Sequence, residues 1–224
     1  MATQSIAIID YGMGNLHSVA SALSHVAPEC DIRIVADADD VAGADRVIFP
    51  GVGAIRDCMA EIRSMGFDRA VADYAASGKP LLAICVGMQA LMTRSEENGG
   101  VDCFDHFKGQ VRFFADNPAF LRCRDEAAPS GERLKVPHMG WNQVKQRQSH
   151  PLWEGIEDNS RFYFVHSYYV TLQSGLENQL GETHYGIDFC AAVAKDNVVG
   201  VQFHPEKSHH AGLRLLRNFV HWSC

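Results

Sequence analysis

The run Leu81-Leu82-Ala83-Ile84 is apolar at every position, too short for a stable helix, and bracketed by Lys79-Pro80 and Gly87. A run of this kind fits a strand buried on both faces, as a parallel sheet covered by helices demands. Ser5–Asp10 and Arg46–Phe49 read the same way, and Asp31–Val35 reads as a further strand. Helical spacing falls between them. Leu16, Val19, Ala20, Leu23 and Ala27 share one face behind Asn15, a candidate cap. Ile55, Cys58, Met59 and Ile62 form a second face, and Val71, Tyr74 and Ala75 a third that Gly78 is placed to close. Strands alternating with helices imply βαβ units. The second half is richer in strands: "GQVRFF", "RFYFVHSYYV" and "CAAVAKDNVVGVQF" alternate or run apolar, with Asp196-Asn197 suited to a hairpin turn. A last helix is expected from near Ser208, burying Leu213, Leu216 and Val220. The expected fold is α/β, an open mixed, mostly parallel sheet with helices on both faces. Asp116–Arg133 is polar, carries two prolines and a glycine, and reads as an exposed loop. No repeat or break divides the chain, so residues 1–224 are read as one domain.

Composition narrows the function classes. Hydrophobic residues make up 46% and charged residues 21%, which argues against global disorder. The net charge is −7 with no basic block, so nucleic acid is not an expected partner. No apolar run reaches the ~18 residues of a spanning helix, and "MATQSIAIIDYG" lacks the pattern of a leader. The expectation is a cytoplasmic protein with no membrane contact. Seven cysteines, an odd number without visible pairing, do not form a disulfide framework. Cys103 and His106 have metal-like spacing but no second pair joins them, and no metal is expected.

The chemistry gathers at Ala83-Ile84-Cys85-Val86-Gly87. Small residues two before and two after a candidate nucleophile suit the tight strand-to-helix turn that projects a reactive side chain. The Val86 N–H is then placed to bind an oxyanion. The competing reading is a buried, inert cysteine, the commoner fate of a free thiol. A working thiol needs a base. "VVGVQFHPEKS" supplies His204 at the end of an apolar strand, with Pro205 favouring an extended backbone and Glu206 two residues on. That set matches the nucleophile–base–orienter logic of a triad. "FPGVGAI" offers the Gly51–Val52 peptide as a second oxyanion donor. "DYGMGNLHS" has His17 where a dinucleotide fingerprint needs its third glycine, and no Walker motif is present, so no cofactor is expected.

Taken together, "AICVGMQ" and "FHPEKS" resemble the cysteine-dependent, triad-type (class I) glutamine amidotransferases. "IDYGMGNL", "PGVGA" and "VPHMGWNQV" resemble one branch, the glutaminase subunits of imidazole glycerol phosphate synthase. The resemblance covers nearly the whole chain. Ala83, Ile55 and the long Asp116–Arg133 segment depart from the usual pattern without touching the triad.

The resemblance implies a flavodoxin-like amidotransferase fold in which Cys85 attacks the glutamine amide, His204 moves protons and Glu206 orients His204. It implies an oxyanion hole from Gly51, Val52 and Val86, and glutamine contacts from Gly53, Gln89, Ser167 and Tyr168. It also implies a partner, a (βα)8-barrel cyclase subunit forming a heterodimer. Read as a partner-facing loop, "PHMGW" with its neighbour Asn142 gives His138, Met139, Gly140, Trp141 and Asn142 as interface residues, with Trp141 as anchor and Asn15 close by. Other readings stay open here: a glutaminase serving a different ammonia-using synthase, a cysteine hydrolase, or a non-catalytic flavodoxin-like module.

Overall fold

The computed structural model describes residues 3–126, 134–173 and 176–224. The first half runs β1 (Ser5–Ile9), α1 (Leu16–Val26), β2 (Asp31–Val35), β3 (Arg46–Gly51), α2 (Ile55–Ser64), α3 (Phe67–Ala76), β4 (Leu81–Cys85) and α4 (Val86–Ala90). The middle holds β5 (Arg94–Ser95), β6 (Val101–Asp102), β7 (Gly109–Phe113), α5 (Pro118–Asp125) and β8 (His138–Gln146). The rest is β9 (Ser160–His166), β10 (Tyr168–Leu172), β11 (Gln179–His184), β12 (Asp188–Lys195), β13 (Val198–Val201) and α6 (His209–His221).

The sheet is mixed, in the order β2-β1-β3-β4-β13-β12-β10-β7-β5-β6. From β2 to β13 the neighbours are parallel. Beyond β13 the sheet turns antiparallel through β12, β10 and β7, and a branch of β11, β8 and β9 leaves it at β12. The apolar run of β4 is buried throughout because β3 and β13 flank it and helices cover it. α1 buries Val19, Ala22 and Leu23 and packs against α6, whose Leu215, Leu216, Phe219 and Val220 face inward. Leu213 is only half-buried, and Leu215 fills the position the sequence pattern gives it. α2 lies against α3 and α4 and buries the expected stripe of Ile55, Cys58, Met59 and Ile62.

Several local expectations are corrected. Asn15 precedes α1, but its side chain makes no cap bond. Its amide turns away and donates to Glu206 Oε1 at 3.4 Å. "RFYFVHSYYV" is two strands, β9 and β10, broken at Ser167. The "PHMGW" segment is strand rather than loop: β8 pairs with β9 from His138↔His166 to Val144↔Ser160. Part of Asp116–Arg133 is helical as α5, and residues 127–133 lie outside the described residues. Asn117-Pro118, inside the segment read as an exposed loop, is here a helix start. Asn117 Oδ1 accepts from the Ala119 and Phe120 amides, and Pro118 occupies the first turn, where a missing N–H is harmless. Phe120 then buries fully against Phe114 and Tyr185.

This cap sets a prediction. Asn117→Ala leaves two helix amides without an acceptor and should destabilise the protein by about 1 kcal/mol. Urea denaturation checks it; an unchanged midpoint would show that α5 is held by Phe120 alone.

Candidate active site

The parallel core brings the chemistry to one sheet edge. Gly51 at the end of β3 pairs with Cys85 at the end of β4. On the other side Val201 pairs with Ile84, so the next rung places Gln202 beside Cys85 and carries the chain on to His204. Residues more than a hundred apart in sequence meet because two parallel strands end side by side, the place where open α/β sheets bind ligands.

Cys85 sits at φ 55°, ψ −110°, a backbone state that L residues rarely adopt. α4 begins at the next residue. The turn is possible because Gly87 has no side chain: a Cβ there would collide with the Phe49 carbonyl oxygen. Ala83, where the usual elbow has glycine, fits without strain inside β4 and is fully buried. The thiol is 4% exposed and opens onto a cavity of about 330 Å³. Val52, Gly53, Val86, Gln89, Ser167, Tyr168 and His204 share its walls. The candidate oxyanion and substrate residues therefore surround the sulfur, with Gly51 just behind.

His204 is buried and fixed from several sides. Its backbone N–H donates to the Tyr163 carbonyl at 2.9 Å, and Ser208 Oγ donates to the His204 carbonyl at 2.6 Å. Its Nδ1 lies 2.8 Å from Glu206 Oε1, and Nδ1 is the donor, since a carboxylate can only accept. Nε2 is thereby free of its proton in the neutral ring and faces the site. Burial works against charging this imidazole, but Cys85 and Glu206 outweigh it and raise its pKa to about 10. The ring is thus an imidazolium held between a sulfur and a carboxylate at neutral pH. Cys58, Cys103 and Cys190 are buried or half-buried as well. Burial pushes Cys58 and Cys103 up to about 11 and Cys190 up to about 12, which keeps them protonated at neutral pH.

The structure adds residues that the sequence reading missed. Glu97 lines the cavity and is its one acidic wall residue among those described; its Oε2 accepts from the Ile55 amide at 3.0 Å. Pro137, Val165 and His166 complete the wall. Tyr11 lies beneath β3 and donates its hydroxyl to the Pro50 carbonyl at 2.9 Å. Gln202 donates to Cys85 Sγ at 3.7 Å. It was visible as a polar residue inside an otherwise apolar strand, a pattern that asks for a buried partner. Glu97 sits in an irregular turn and carried no signal.

The residues read as an interface separate into two groups. Met139 and Trp141 are 62% and 39% exposed, and Gly140 and Asn142 are half-buried. Together they line a second, shallow hollow of about 530 Å³ with Tyr185 and His184. Trp141 stacks on His209, ring centroids 5.0 Å apart. His138 is corrected as an exposed contact: it lies at the floor of the same hollow but is only 3% exposed, because alternation along β8 turns it away from Met139. There it lies between the Phe164 and Tyr185 rings, with its Nδ1 2.9 Å from His166 Nε2. Among the described residues no helix is long and apolar enough to cross a membrane.

Known proteins share this fold, and some share much of the sequence. The model of glutamine amidotransferase class-I matches residues 7–222. The fold is shared with PurLQS of Thermotoga maritima, at a TM-score of 0.69 and 16% identity over 98% of this chain and 99% of that one. A GMP synthase subunit from Thermoplasma acidophilum superposes at 0.68, with 19% identity over 99% and 94% of the two chains. The chain belongs to the class-I glutamine amidotransferases. It is 57% identical to imidazole glycerol phosphate synthase subunit HisH 1 of Pseudomonas aeruginosa, over 98% of this chain and 97% of that protein. It is 52% identical to the HisH subunit of Acinetobacter baylyi, over 97% and 98%. Within the class, the HisH subunits are its particular family.

Two predictions arise here. Gly87→Ala should destabilise the protein by roughly 3 kcal/mol, since the methyl meets backbone that cannot yield. A thermal melt within a degree or two of the parent would contradict the turn described. The second concerns acid. Burial lowers the pKa of His138 to about 4 and of His166 to about 3. Both groups then take up protons in the unfolded chain near pH 6.5 but not in the folded one. The share of stability set by these two rings should be full above pH 6.5 and fall below it, by on the order of 1 kcal/mol per pH unit from each ring. Replacing either histidine by glutamine should flatten that slope in urea titrations between pH 6.5 and 4.

Proposed function

We propose that this chain hydrolyses glutamine to glutamate and ammonia at Cys85 and delivers the ammonia to a synthase partner. The partner is a cyclase subunit built as a (βα)8 barrel, and the product is imidazole glycerol phosphate together with an aminoimidazole carboxamide ribotide, in histidine biosynthesis. The observation that carries the catalytic reading is the meeting of Cys85, His204 and Glu206 at the ends of adjacent parallel strands.

The Cys85 sulfur attacks the glutamine side-chain carbonyl, and the oxygen takes the developing charge. The Val86 amide and the Gly51–Val52 peptide are the donors for it. His204, charged at rest, gives its proton to the departing nitrogen, so ammonia leaves and a thioester remains. The neutral imidazole then takes a proton from water, which attacks the thioester; glutamate leaves and the sulfur is restored. Glu206 keeps the ring in the required tautomer throughout. Glu97 suits the α-ammonium of an amino-acid substrate, with Ser167, Tyr168, Gln89 and Gly53 around the rest. Met139 and Trp141 are the exposed apolar contacts for the partner, beside the Asn15 end of the sheet.

Cys85→Ala should abolish glutamine hydrolysis while leaving complex formation intact. Full ammonia release by that variant would end the nucleophile assignment. Glu206→Gln should lower turnover less than His204→Ala does, because orientation supports a proton transfer that the ring itself performs; steady-state kinetics would reveal the reverse order. Trp141→Ala should weaken the complex about tenfold, and an unchanged dissociation constant would leave the stack on His209 as its whole role.

A further inference from the structure

A single backbone carbonyl fixes the direction of a hydrogen-bond network that ends on the nucleophile. The Tyr168 oxygen can only accept. It takes a hydrogen from His166 Nδ1 at 2.7 Å and another from Gln89 Nε2 at 3.2 Å. Each of those donors fixes the next group along.

On one side, His166 uses Nδ1–H on the carbonyl, so its Nε2 accepts. The group facing that Nε2 is His138 Nδ1, at 2.9 Å, which must therefore donate. His138 Nε2 is left to accept, and Asn142 Nδ2 meets it at 3.2 Å while also donating to the His184 carbonyl at 2.9 Å. Both rings are neutral, in line with the lowering that burial imposes on them. On the other side, Gln89 also directs Nε2 at Gln202 Oε1, 3.0 Å away. That leaves Gln202 Nε2 facing Cys85 Sγ at 3.7 Å. Reversing the Gln89 amide would set its oxygen against the Tyr168 carbonyl, and reversing Gln202 would set two N–H donors face to face. Gln202 itself has no exposed surface and its own N–H is tied to the Ala191 carbonyl at 2.9 Å.

We propose, on the reading of Cys85 as nucleophile, that Gln202 is a positioning residue whose amide holds the sulfur as an acceptor, its orientation locked through Gln89 by the Tyr168 carbonyl that also locks the His166–His138 pair. The network carries no proton from end to end, because both arms donate into the same oxygen. It carries orientation. An N–H aimed at sulfur favours the thiolate over the thiol, since the bond to the charged form is the stronger. The far end lies at Asn142, in the hollow beside Met139 and Trp141. The partner-facing strand and the reacting atom thus belong to one set of bonds.

The test uses the full chain, alone and with its synthase partner. Gln202→Leu removes the donor at similar size, and Gln202→Met offers an unbranched alternative should the first fail to fold. The readouts are the pH profile of Cys85 alkylation by iodoacetamide, and kcat and KM for glutamine. Both variants should move the alkylation profile upward by about 1 pH unit and lower kcat about tenfold, with KM changed less than about twofold. His138→Phe keeps a ring between Phe164 and Tyr185 but removes the donor; it should lower kcat about threefold. Combined with Gln202→Leu it should add nothing further, as members of one network are not additive. An unmoved alkylation profile, or fully additive losses, would overturn the proposal. Cys85→Ala separates the two levels. If it still hydrolyses glutamine, the nucleophile reading falls. If it is dead while the Gln202 variants behave as the parent, only the positioning role falls.

Discussion

The site depends on one contact that is almost an absence. Gly87 lets the first turn of α4 lie against the Phe49 carbonyl, where any side chain would collide. That approach forces β4 into helix within a single residue, and Cys85 takes the strained backbone state that results. Everything downstream uses the sulfur's place at that corner. β3 presents Gly51 on one side of it, β13 presents Gln202 on the other, and His204 arrives from beyond. A strain of this size persists only where its surroundings over-determine it, and here a fully buried parallel core does so.

Electrostatics completes what geometry begins. An imidazole in so dry a place would ordinarily lose its proton. Between Glu206 and the Cys85 sulfur it keeps it instead. The histidines a strand away, His138 and His166, have no carboxylate and stay neutral. The same side chain in neighbouring positions thus takes different charge states, and the difference is the pair of partners, Cys85 and Glu206, that only His204 has. Only the charged ring is placed to supply a proton, while the neutral pair is suited to holding fixed directions.

Much of this was legible beforehand, and for physical reasons. The β4 run had to be a doubly covered strand, and Gly87 after Cys85 had to mark a close approach. His204 and Glu206 were found because Pro205 limits the backbone between them. What failed to show was whatever depends on long-range pairing. "PHMGW" read as a loop because its glycine and tryptophan break the apolar alternation, yet β9 and β11 pair with it as strand. His138 looked exposed for the same reason. Asp116–Arg133 read as an exposed loop because a cap such as Asn117-Pro118 uses the same residues as a turn, and only the burial of Phe120 distinguishes them. Gln202 was overlooked beside the more familiar histidine, although a lone amide in an apolar strand was itself a clue.

Tyr11 carries a consequence for how sequences of this kind can vary. Its hydroxyl bonds the Pro50 carbonyl, and a methyl added to Gly51 would overlap that phenolic oxygen. The phenol and the bare backbone beside it therefore occupy one shared volume. In this chain a side chain at position 51 has to displace that ring, and the Gly87 amide nitrogen and the Val86 Cβ, each 3.0 Å away, close the rest of the space. Positions 11 and 51, far apart along the chain, are thus coupled through space.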